Sequence, residues 1–433
     1  MAERRRIYLC LAHMSESGAE QKFVKEAFDT NWVVPLGPNV NGFEIDLEQF
    51  INGNASPRFD GMSEERIFGK KVVALSAGTA AVHLALIACG VGPGDEVLVQ
   101  SFTFCASSHP ITYLGATPVF IDSEKDTWNM DPELLEEAIK DRIAKTGKKP
   151  KAIVPVALYG MPYKIDRIMD IADRYEIPVI EDAAEGFGSK YNGQVLGTFG
   201  KYGVLSFNGN KMITTSGGGA LITPNEDAWR EIMMYATQYR ESYPYYQHEK
   251  IGYNYRMSNI CAGIGRGQMT VLNDHIAHHK HVQKLYEELL KDVPGIHVHS
   301  QPATGEYDSN YWLCTIVIDE DVKVKGQENA YKTIVKGAVG GAAGVIHEAK
   351  KATTDCQPNY NVEALRVFMD LADIEARPVW KPMHKQPVYK DAPAYVNGVS
   401  EEIFKVGMCL PAGPYVTDED VKYIVETIKN AID

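Results

Sequence analysis

Ser206-Phe-Asn-Gly-Asn-Lys211, followed by Met-Ile-Thr-Thr-Ser-Gly-Gly-Gly219, is the stretch from which the fold of this chain is best inferred. Val204 and Leu205 precede it, and this pattern is typical of a short buried strand that opens into a tight Asn/Gly turn. Lys211 comes directly after the turn, among small polar residues. A lone lysine in such a place is usually an ordinary loop residue, so a chemical role needs a second feature of the sequence.

That second feature is an acidic residue at the end of another predicted strand. Pro178 precedes Val179-Ile-Glu-Asp182, which places Asp182 at the carboxyl end of the strand. Ligands of open α/β sheets bind at that end. A lysine and a carboxylate on neighbouring strand ends indicate pyridoxal 5′-phosphate. Lys211 would hold it as a Schiff base, and Asp182 would keep the pyridine nitrogen protonated. We therefore predict catalytic roles for both residues.

A third stretch suits the phosphate of this cofactor. Ser76-Ala77-Gly78-Thr79 leads into the apolar run Val82–Ala88, which favours a helix. Hydroxyls and free backbone N–H groups at a helix start bind phosphate well. Taken alone, an ordinary helix N-cap is the commoner explanation.

The composition limits the classes of function. A chain of 433 residues is long enough for two domains. Its net charge of −13, without a basic block, argues against nucleic-acid binding and against an anionic membrane surface. Its apolar runs are too short to span a membrane. Seven scattered cysteines without a Cys-x-x-Cys pair are typical of buried thiols in a cytoplasmic protein.

Strand and helix patterns alternate from residue 72 onward, which predicts an α/β fold with a mainly parallel sheet covered by helices on both faces. The predicted helices between the strands are Pro132–Ala144 and Ile165–Tyr175. The predicted strands are Glu96–Gln100, Thr117–Ile121, Ala152–Ala157 and Pro178–Glu181.

The order of motifs resembles the DegT/DnrJ/EryC/StrS sugar aminotransferases, which are fold-type I pyridoxal-phosphate enzymes. The similarity is greatest to UDP-4-amino-sugar transaminases of the bacillosamine type. The motifs that carry it are Trp32–Pro38, Gln100–Phe104, Val119–Ser123, Asp126–Met130, Glu181–Glu185, Ser206–Gly219, Gly252–Met257 and Ala376–His384.

The resemblance implies a large domain over residues 1–265, with a seven-stranded type of sheet, and a smaller α+β domain over residues 266–433. A long helix from Met269 to Val293 and a strand over Asn310–Ile318 would belong to the smaller domain. Residues 326–360 look like an insertion and have no functional explanation.

The resemblance also implies a set of cofactor contacts. Phe104 would stack on the pyridine ring, and Ser206 would donate to the phosphate. Glu185 would touch the cofactor or the incoming substrate. Asn254 would reach the cofactor phosphate of a partner subunit, so that a homodimer shares its active sites. The predicted cofactor-binding set is Ala77, Gly78, Thr79, Phe104, Asp182, Glu185, Ser206, Lys211 and Asn254.

Four further residues are candidate substrate contacts. Pro38 ends a stiff loop that would reach over the sugar, although a plain connector is the alternative. Trp380 and His384 would contact a sugar or uracil, and a packed loop explains them equally well. Arg256 is equally well explained by a structural ion pair.

Four histidines, His275, His278, His279 and His281, have spacings of three and four residues that suit a metal site. No acidic residue or cysteine stands at a matching position. We predict a solvated helix face and no metal.

The predicted reaction is transamination. L-Glutamate would donate the amino group, and the 4-keto carbon of a nucleotide-linked 4-keto-6-deoxy sugar would receive it, with UDP-2-acetamido-2,6-dideoxy-4-keto-hexose favoured. GDP-4-keto-6-deoxymannose, the perosamine-type substrate, is the alternative. A sugar 3-dehydratase would carry His in place of Lys211. A non-catalytic relative would have lost the lysine or the acid, and both are present.

Overall fold

The computed structural model describes residues 5–53, 69–331 and 356–432. The α-helices of this part of the chain are α1 (Ala19–Asp29), α2 (Pro38–Ile51), α3 (Gly78–Ala88), α4 (His109–Tyr113), α5 (Pro132–Thr146), α6 (Ile165–Tyr175), α7 (Glu226–Ala236), α8 (Asn259–Met269), α9 (Leu272–Leu290), α10 (Tyr360–Leu371), α11 (Val399–Val406) and α12 (Asp418–Ala431).

The strands of the described residues are mostly three to five residues long. They are β1 (Lys71–Leu75), β2 (Glu96–Gln100), β3 (Thr117–Ile121), β4 (Ala152–Val154), β5 (Ile180–Asp182), β6 (Lys190–Tyr191), β7 (Gln194–Val195), β8 (Tyr202–Ser206), β9 (Gly219–Thr223), β10 (Ile296–Val298), β11 (Tyr307–Asp308), β12 (Cys314–Ile318), β13 (Arg377–Pro378), β14 (Ala394–Tyr395) and β15 (Gly407–Leu410).

The main sheet has the strand order β14-β3-β2-β4 followed by β5-β8-β9-β1. Single parallel bridges from Ile153 to Val179 and from Val156 to Asp182 join the two halves. The pairs β14–β3, β3–β2, β2–β4 and β5–β8 are parallel, whereas β9 is antiparallel to both β8 and β1. The predicted α/β fold with a mainly parallel sheet is confirmed, with seven strands plus the short edge strand β14.

Alternate residues of the strands face opposite sides of the sheet, and each side has its own apolar core. In β1, Val72 and Ala74 belong to a cluster with Phe43 of α2, whereas Val73 and Leu75 belong to a cluster with helix α3. The sheet is therefore buried on both faces, which explains why its strands are almost continuously apolar. Helix α5 begins after Asp131, whose side chain accepts hydrogen bonds from the backbone N–H groups of Glu133 and Leu134 in the first helical turn.

A smaller antiparallel sheet, β10-β12-β15-β13, lies in the C-terminal part of the chain. Its core combines Val282 and Tyr286 of α9 with Ile316 of β12 and Val425 of α12. The predicted domain boundary after residue 265 falls inside α8, and the division into two domains stays a prediction. Most of the predicted insertion, residues 332–355, lies outside the described residues.

Four predicted elements are shorter than expected. The predicted strands Ala152–Ala157 and Pro178–Glu181 are observed as Ala152–Val154 and Ile180–Asp182. The predicted helix from Met269 begins only at Leu272, because α8 still includes Met269 and the backbone of Val271, with φ −117° and ψ 5°, leaves the helical region. The predicted strand from Asn310 begins only at Cys314, because Tyr311 has a positive φ of 48° and breaks the extended backbone.

The predicted solvated histidine face on α9 is wrong. His275 and His279 are buried and point toward the carbonyls of Met212 and Tyr311, whereas His281 is exposed and pairs with Asp418. The spacing of three to four residues identified one face of the helix, and that face packs inward. The described residues contain no group of three or more possible metal ligands.

The seven cysteines all lie in the described residues and form no disulfide there; four of them are buried and three are partly exposed. No helix in residues 5–53, 69–331 or 356–432 is long and apolar enough to cross a membrane.

Candidate active site

A cavity of about 300 Å³ lies at the carboxyl ends of β5 and β8. The two strands are parallel neighbours, with Asp182 opposite Val204, so Asp182 and Ser206 end at the same edge of the sheet. Lys211 follows five residues after Ser206 and reaches the same cavity. Most of the predicted cofactor residues line it: Ala77, Gly78, Thr79, Phe104, Asp182, Glu185, Ser206 and Lys211.

The N-terminus of helix α3 forms one end of the cavity. Ala77 is its extended N-cap residue and has no polar side chain to cap the first turn. The helix approaches the sheet so closely that a Cβ atom on Gly219 would lie 2.3 Å from the Gly78 nitrogen. Ser206 is also adjacent, because a Cβ atom on Gly78 would lie 3.4 Å from its hydroxyl oxygen. The result is a cradle of backbone amides and a hydroxyl, which suits a phosphate.

Asp182 is buried and held by two hydrogen bonds. The Ser107 hydroxyl donates to Oδ2 at 2.6 Å, and the Ala184 N–H donates to Oδ1 at 3.1 Å. Burial raises the pKa of this carboxyl, while the two hydrogen bonds and the charge of Lys211 oppose that rise. A cation next to this carboxylate would be strongly stabilised, because the carboxylate is buried.

The Lys211 ammonium lies between a carboxylate and an aromatic ring. Its Nζ is 3.4 Å from Oε1 of Glu185 and 4.1 Å from the centroid of the Trp312 indole. Its side chain is 13% exposed. The amine is therefore shielded from solvent yet faces the open part of the cavity.

Glu185 is buried and has a second partner in addition to Lys211. Its Oε2 accepts a hydrogen bond of 2.7 Å from the Tyr159 N–H. Burial raises the pKa of Glu185, and the nearby charge of Asp182 acts in the same direction, whereas Lys211 and the Tyr159 amide lower it. The carboxylate depends on these two partners to remain ionised.

Aromatic side chains form one side of the cavity. Phe104 and Trp380 lie with their ring centroids 5.4 Å apart, and Trp380 stacks on Tyr159 at 6.2 Å. Phe104 is 49% exposed, so its ring is available to a flat ligand. The buried indole N–H of Trp380 has no hydrogen-bond partner among the described residues.

Two predicted site residues line a different cavity. Asn254 and Arg256 border a cavity of about 730 Å³, together with Leu36 and Arg240. Arg256 donates to Glu44 at 2.5 Å and to the Ala74 carbonyl at 2.9 Å. Within this chain Arg256 therefore makes the structural ion pair that was its alternative explanation, and it does not face the Lys211 cavity.

Pro38 and His384 are also outside the cavity around Lys211. Pro38 is the first residue of α2. The His384 side chain is 7% exposed and lies between the Ser101 hydroxyl, 2.6 Å from Nδ1, and Glu401, 3.2 Å from Nε2. The packed-loop alternative describes His384 in this chain, because both ring nitrogens are already engaged.

Three residues of the site were missed by the sequence reasoning. Ser107 was not predicted, although it follows the Phe-Thr-Phe motif by three residues. Trp312 was assigned to a strand. The Tyr159 backbone N–H donates to Glu185. The Tyr159 hydroxyl accepts a hydrogen bond of 2.8 Å from the backbone N–H of Trp380. No local pattern marked Trp312 or Tyr159, because their contacts are made across the fold.

These residues fit pyridoxal phosphate. The buried carboxylate Asp182 suits a protonated pyridine nitrogen, the amide and hydroxyl cradle at α3 suits a phosphate, and Lys211 supplies an amine between them. The fold and the site together define a fold-type I aminotransferase.

Comparisons with known proteins agree with this class. A sequence model of the DegT/DnrJ/EryC1/StrS aminotransferase family matches residues 15–346 and 347–429. The chain therefore belongs to this family and is a pyridoxal-phosphate-dependent sugar aminotransferase.

Individual relatives are similar over nearly the whole chain. The "Putative pyridoxal phosphate-dependent aminotransferase EpsN" of Bacillus subtilis is 39% identical over 98% of this chain and 95% of its own length. The GDP-perosamine synthase of Escherichia coli O157:H7 is 31% identical, over 97% of this chain and 98% of its own. A DegT DnrJ EryC1 StrS aminotransferase from Brucella abortus superimposes with a TM-score of 0.77 at 26% identity, covering 96% of this chain and 95% of that one.

Proposed function

We propose that this enzyme transfers the amino group of L-glutamate to the 4-keto carbon of a nucleotide-linked 4-keto-6-deoxy sugar, for the synthesis of a surface glycan or polysaccharide. The favoured acceptor is UDP-2-acetamido-2,6-dideoxy-4-keto-hexose. The observation that carries the proposal is the meeting of Lys211, Asp182 and the N-terminus of α3 in one cavity. The GDP-perosamine synthase among the relatives supports GDP-4-keto-6-deoxymannose as the second candidate.

Each residue has a defined task in this reaction. Pyridoxal phosphate, when bound, supplies the electron sink for breaking the bond to the α-hydrogen of the donor. Lys211 Nζ removes the proton from the donor α-carbon and later returns one at the acceptor carbon. Asp182 would hold a positive charge on the ring nitrogen, and the amides at Gly78 and Thr79 with the Ser206 hydroxyl would hold the phosphate.

Burial of these groups keeps the proton transfers free of competing water. Lys211 is 13% exposed and its partner carboxylate on Glu185 is 5% exposed. Glu185 hydrogen-bonds to the ammonium when the lysine is free, which orients Nζ toward the cavity. A positioned lysine is worth more than a free amine, because the reacting atoms are already aligned.

We also propose that the enzyme acts as a homodimer with shared active sites. Leu36, which lines the cavity of Asn254, is 54% exposed, and Tyr246, whose ring centroid lies 4.8 Å from Arg240 of the same lining, is 78% exposed. Exposed apolar patches of this kind mark interaction surfaces. A second copy that covers this face would receive Asn254 near its own phosphate cradle, as the family resemblance implies.

The test is an absorption spectrum of the purified enzyme, before and after L-glutamate. We expect a band near the visible edge that moves to shorter wavelength with glutamate and returns with the correct keto sugar. UDP- and GDP-linked 4-keto sugars, tested in parallel at equal concentration, identify the acceptor. The Lys211→Ala variant should show neither change. A wild-type enzyme whose band does not respond to glutamate would overturn the proposal.

A further inference from the structure

Trp312 contacts the catalytic lysine segment at two separate points. Its indole Nε1–H donates to the Asn210 carbonyl at 2.6 Å, which fixes the peptide bond directly before Lys211. Its ring face lies 4.1 Å from the Lys211 Nζ at the other end of the side chain. Trp312 therefore contacts both the backbone directly before Lys211 and the Nζ at the end of the Lys211 side chain.

Trp312 is itself fixed by the fold. It is 1% exposed, and its backbone N–H donates to Oδ1 of Asn310 at 2.9 Å. The Asn310 amide donates in turn to the carbonyls of Glu185 and Phe187. The indole and the Glu185 segment are therefore held by the same asparagine, and the two partners of Lys211 keep a constant separation.

We propose that Trp312 is a positioning residue that holds the Lys211 ammonium whenever the lysine is free of the cofactor. This inference rests on the proposed function, because only a transaminating lysine is released and recaptured in each cycle. An aromatic face attracts an ammonium group but accepts no proton from it. The contact therefore keeps Nζ aligned between the step in which it takes the proton from the donor and the step in which it delivers one.

The aromatic contact complements the carboxylate contact. Glu185 can share a proton with Lys211, whereas the indole cannot, and both lie within about 4 Å of Nζ. With Trp312 replaced by an aliphatic residue, the ammonium would move toward the Glu185 carboxylate, which already lies 3.4 Å from Nζ. Proton delivery would then slow, while the binding of the donor would be unaffected.

A spectroscopic test reads this contact without any catalysis. The full-length protein, freed of cofactor, is treated with ¹³C-formaldehyde and a mild reductant to methylate its lysines. The Lys211 methyl signal is assigned by its loss in Lys211→Arg. The ring current of Trp312 should shift this signal upfield of ordinary lysine signals. Trp312→Phe should keep part of the shift, and Trp312→Leu should abolish it.

The chain provides a matched control in Trp229. The Lys71 ammonium lies 4.8 Å from the Trp229 ring centroid, and the Trp229 indole N–H donates to the Val72 carbonyl at 3.1 Å. Trp229→Leu should therefore move the Lys71 signal and leave the Lys211 signal in place. A wild-type Lys211 signal at the ordinary lysine position would overturn the proposal directly, even if Trp312→Leu does not fold.

A kinetic test separates positioning from general stability. In single-turnover reactions with glutamate, Trp312→Leu should lower the limiting rate about tenfold and Trp312→Phe only about twofold, with the half-saturating glutamate concentration unchanged. Equal rates for the two variants would contradict a role for the ring face. If wild-type enzyme itself fails to respond to glutamate, the proposed function fails, whereas the ring-current result stands independently.

Discussion

The Asp182 carboxylate accepts a 2.6 Å hydrogen bond from the hydroxyl of Ser107, a residue 75 positions earlier in the chain. Ser107 lies in the short turn after β2, and its hydroxyl also contacts the Thr103 hydroxyl at 2.9 Å. Asp182 has its second oxygen bonded to the Ala184 amide. Burial raises the pKa of the carboxyl, so these hydrogen bonds are needed to keep it ionised.

The first prediction concerns this pair. Asp182→Asn should lower the limiting rate with glutamate by about 10²–10³-fold, because the amide cannot stabilise a positive charge on the ring nitrogen. Ser107→Ala should lower it by about tenfold, since one hydrogen bond to a charged group is lost. The measurement is single-turnover absorption spectroscopy at saturating glutamate.

The control for this prediction is the neighbouring serine. Ser108 is also buried, but its hydroxyl donates to the Cys105 carbonyl rather than to Asp182. Ser108→Ala should therefore retain the wild-type rate. Equal losses for the two serine variants would show that the turn, and not the hydrogen bond to Asp182, is responsible.

The parts of the site that lie within one local pattern could be predicted from the sequence. Asp182 stands at the end of an apolar strand, and Ser206 and Lys211 flank one Asn/Gly turn, so strand polarity brings all three to the same edge. The helix start at Gly78 followed from the Ser-Ala-Gly-Thr run. In each case the local sequence pattern and the direction of the parallel strands predict the same position for the residue at the edge of the sheet.

The parts that depend on distant packing could not be predicted. Trp312 reaches Lys211 from about a hundred positions further along the chain, and its own segment was expected to be a strand. His279 was placed on a solvated face, because its spacing defines a helix face without saying which way that face points. Arg256 meets Glu44 across 212 positions, so its partner is visible only in the folded chain.

The second prediction decides between the two explanations of Arg256. The Arg256 and Glu44 side chains are 8% and 1% exposed. Arg256→Met should lower the free energy of unfolding by about 3–5 kcal/mol, because it leaves the Glu44 carboxylate buried without its cation. Chemical denaturation measures the change, and the double variant with Glu44→Gln should lose less than the sum of the two single variants.

Arg266 supplies the matched control for Arg256. Its Nε lies 3.3 Å from a carboxylate oxygen of Asp46, which is on helix α2 like Glu44. The Arg266 and Asp46 side chains, however, are 27% and 29% exposed. Arg266→Met should cost less than about 1 kcal/mol, since solvent screens the pair. If Arg256→Met were as stable as wild type and only raised the KM for the nucleotide sugar, Arg256 would be a substrate contact instead.

The third prediction is a loss of stability in mild acid. Burial lowers the pKa of His279 from 6.5 to about 3, and the Tyr311 carbonyl only partly opposes this. The unfolded chain thus binds a proton below pH 6.5 that the folded chain excludes, so stability falls as the pH drops from 6.5 toward 3. At pH 5 the cost is about 2 kcal/mol.

Thermal unfolding of variants between pH 7 and pH 5 measures this contribution. His279→Gln should flatten the dependence of unfolding free energy on pH, because the titrating group is gone. An unaltered slope in His279→Gln would mean that other groups cause the acid sensitivity.

The fourth prediction tests the shared active site. Lys211 and Asn254 line different cavities of one chain. If Asn254 serves the cofactor phosphate of the partner, Lys211→Ala and Asn254→Leu should each be nearly inactive alone. A mixed dimer of the two variants would contain one intact site, with Lys211 from one chain and Asn254 from the other.

Random pairing of equal amounts should therefore restore about a quarter of the wild-type activity, because half of the dimers are mixed and each has one working site. The two chains are coexpressed with different affinity tags, and the mixed dimer that is purified through both tags should have about half of the wild-type activity. Mixing wild type with Lys211→Ala calibrates the activity of a single intact site. A mixed dimer without activity would mean that Lys211 and Asn254 act on the same chain, and an active Asn254→Leu homodimer would remove Asn254 from the site.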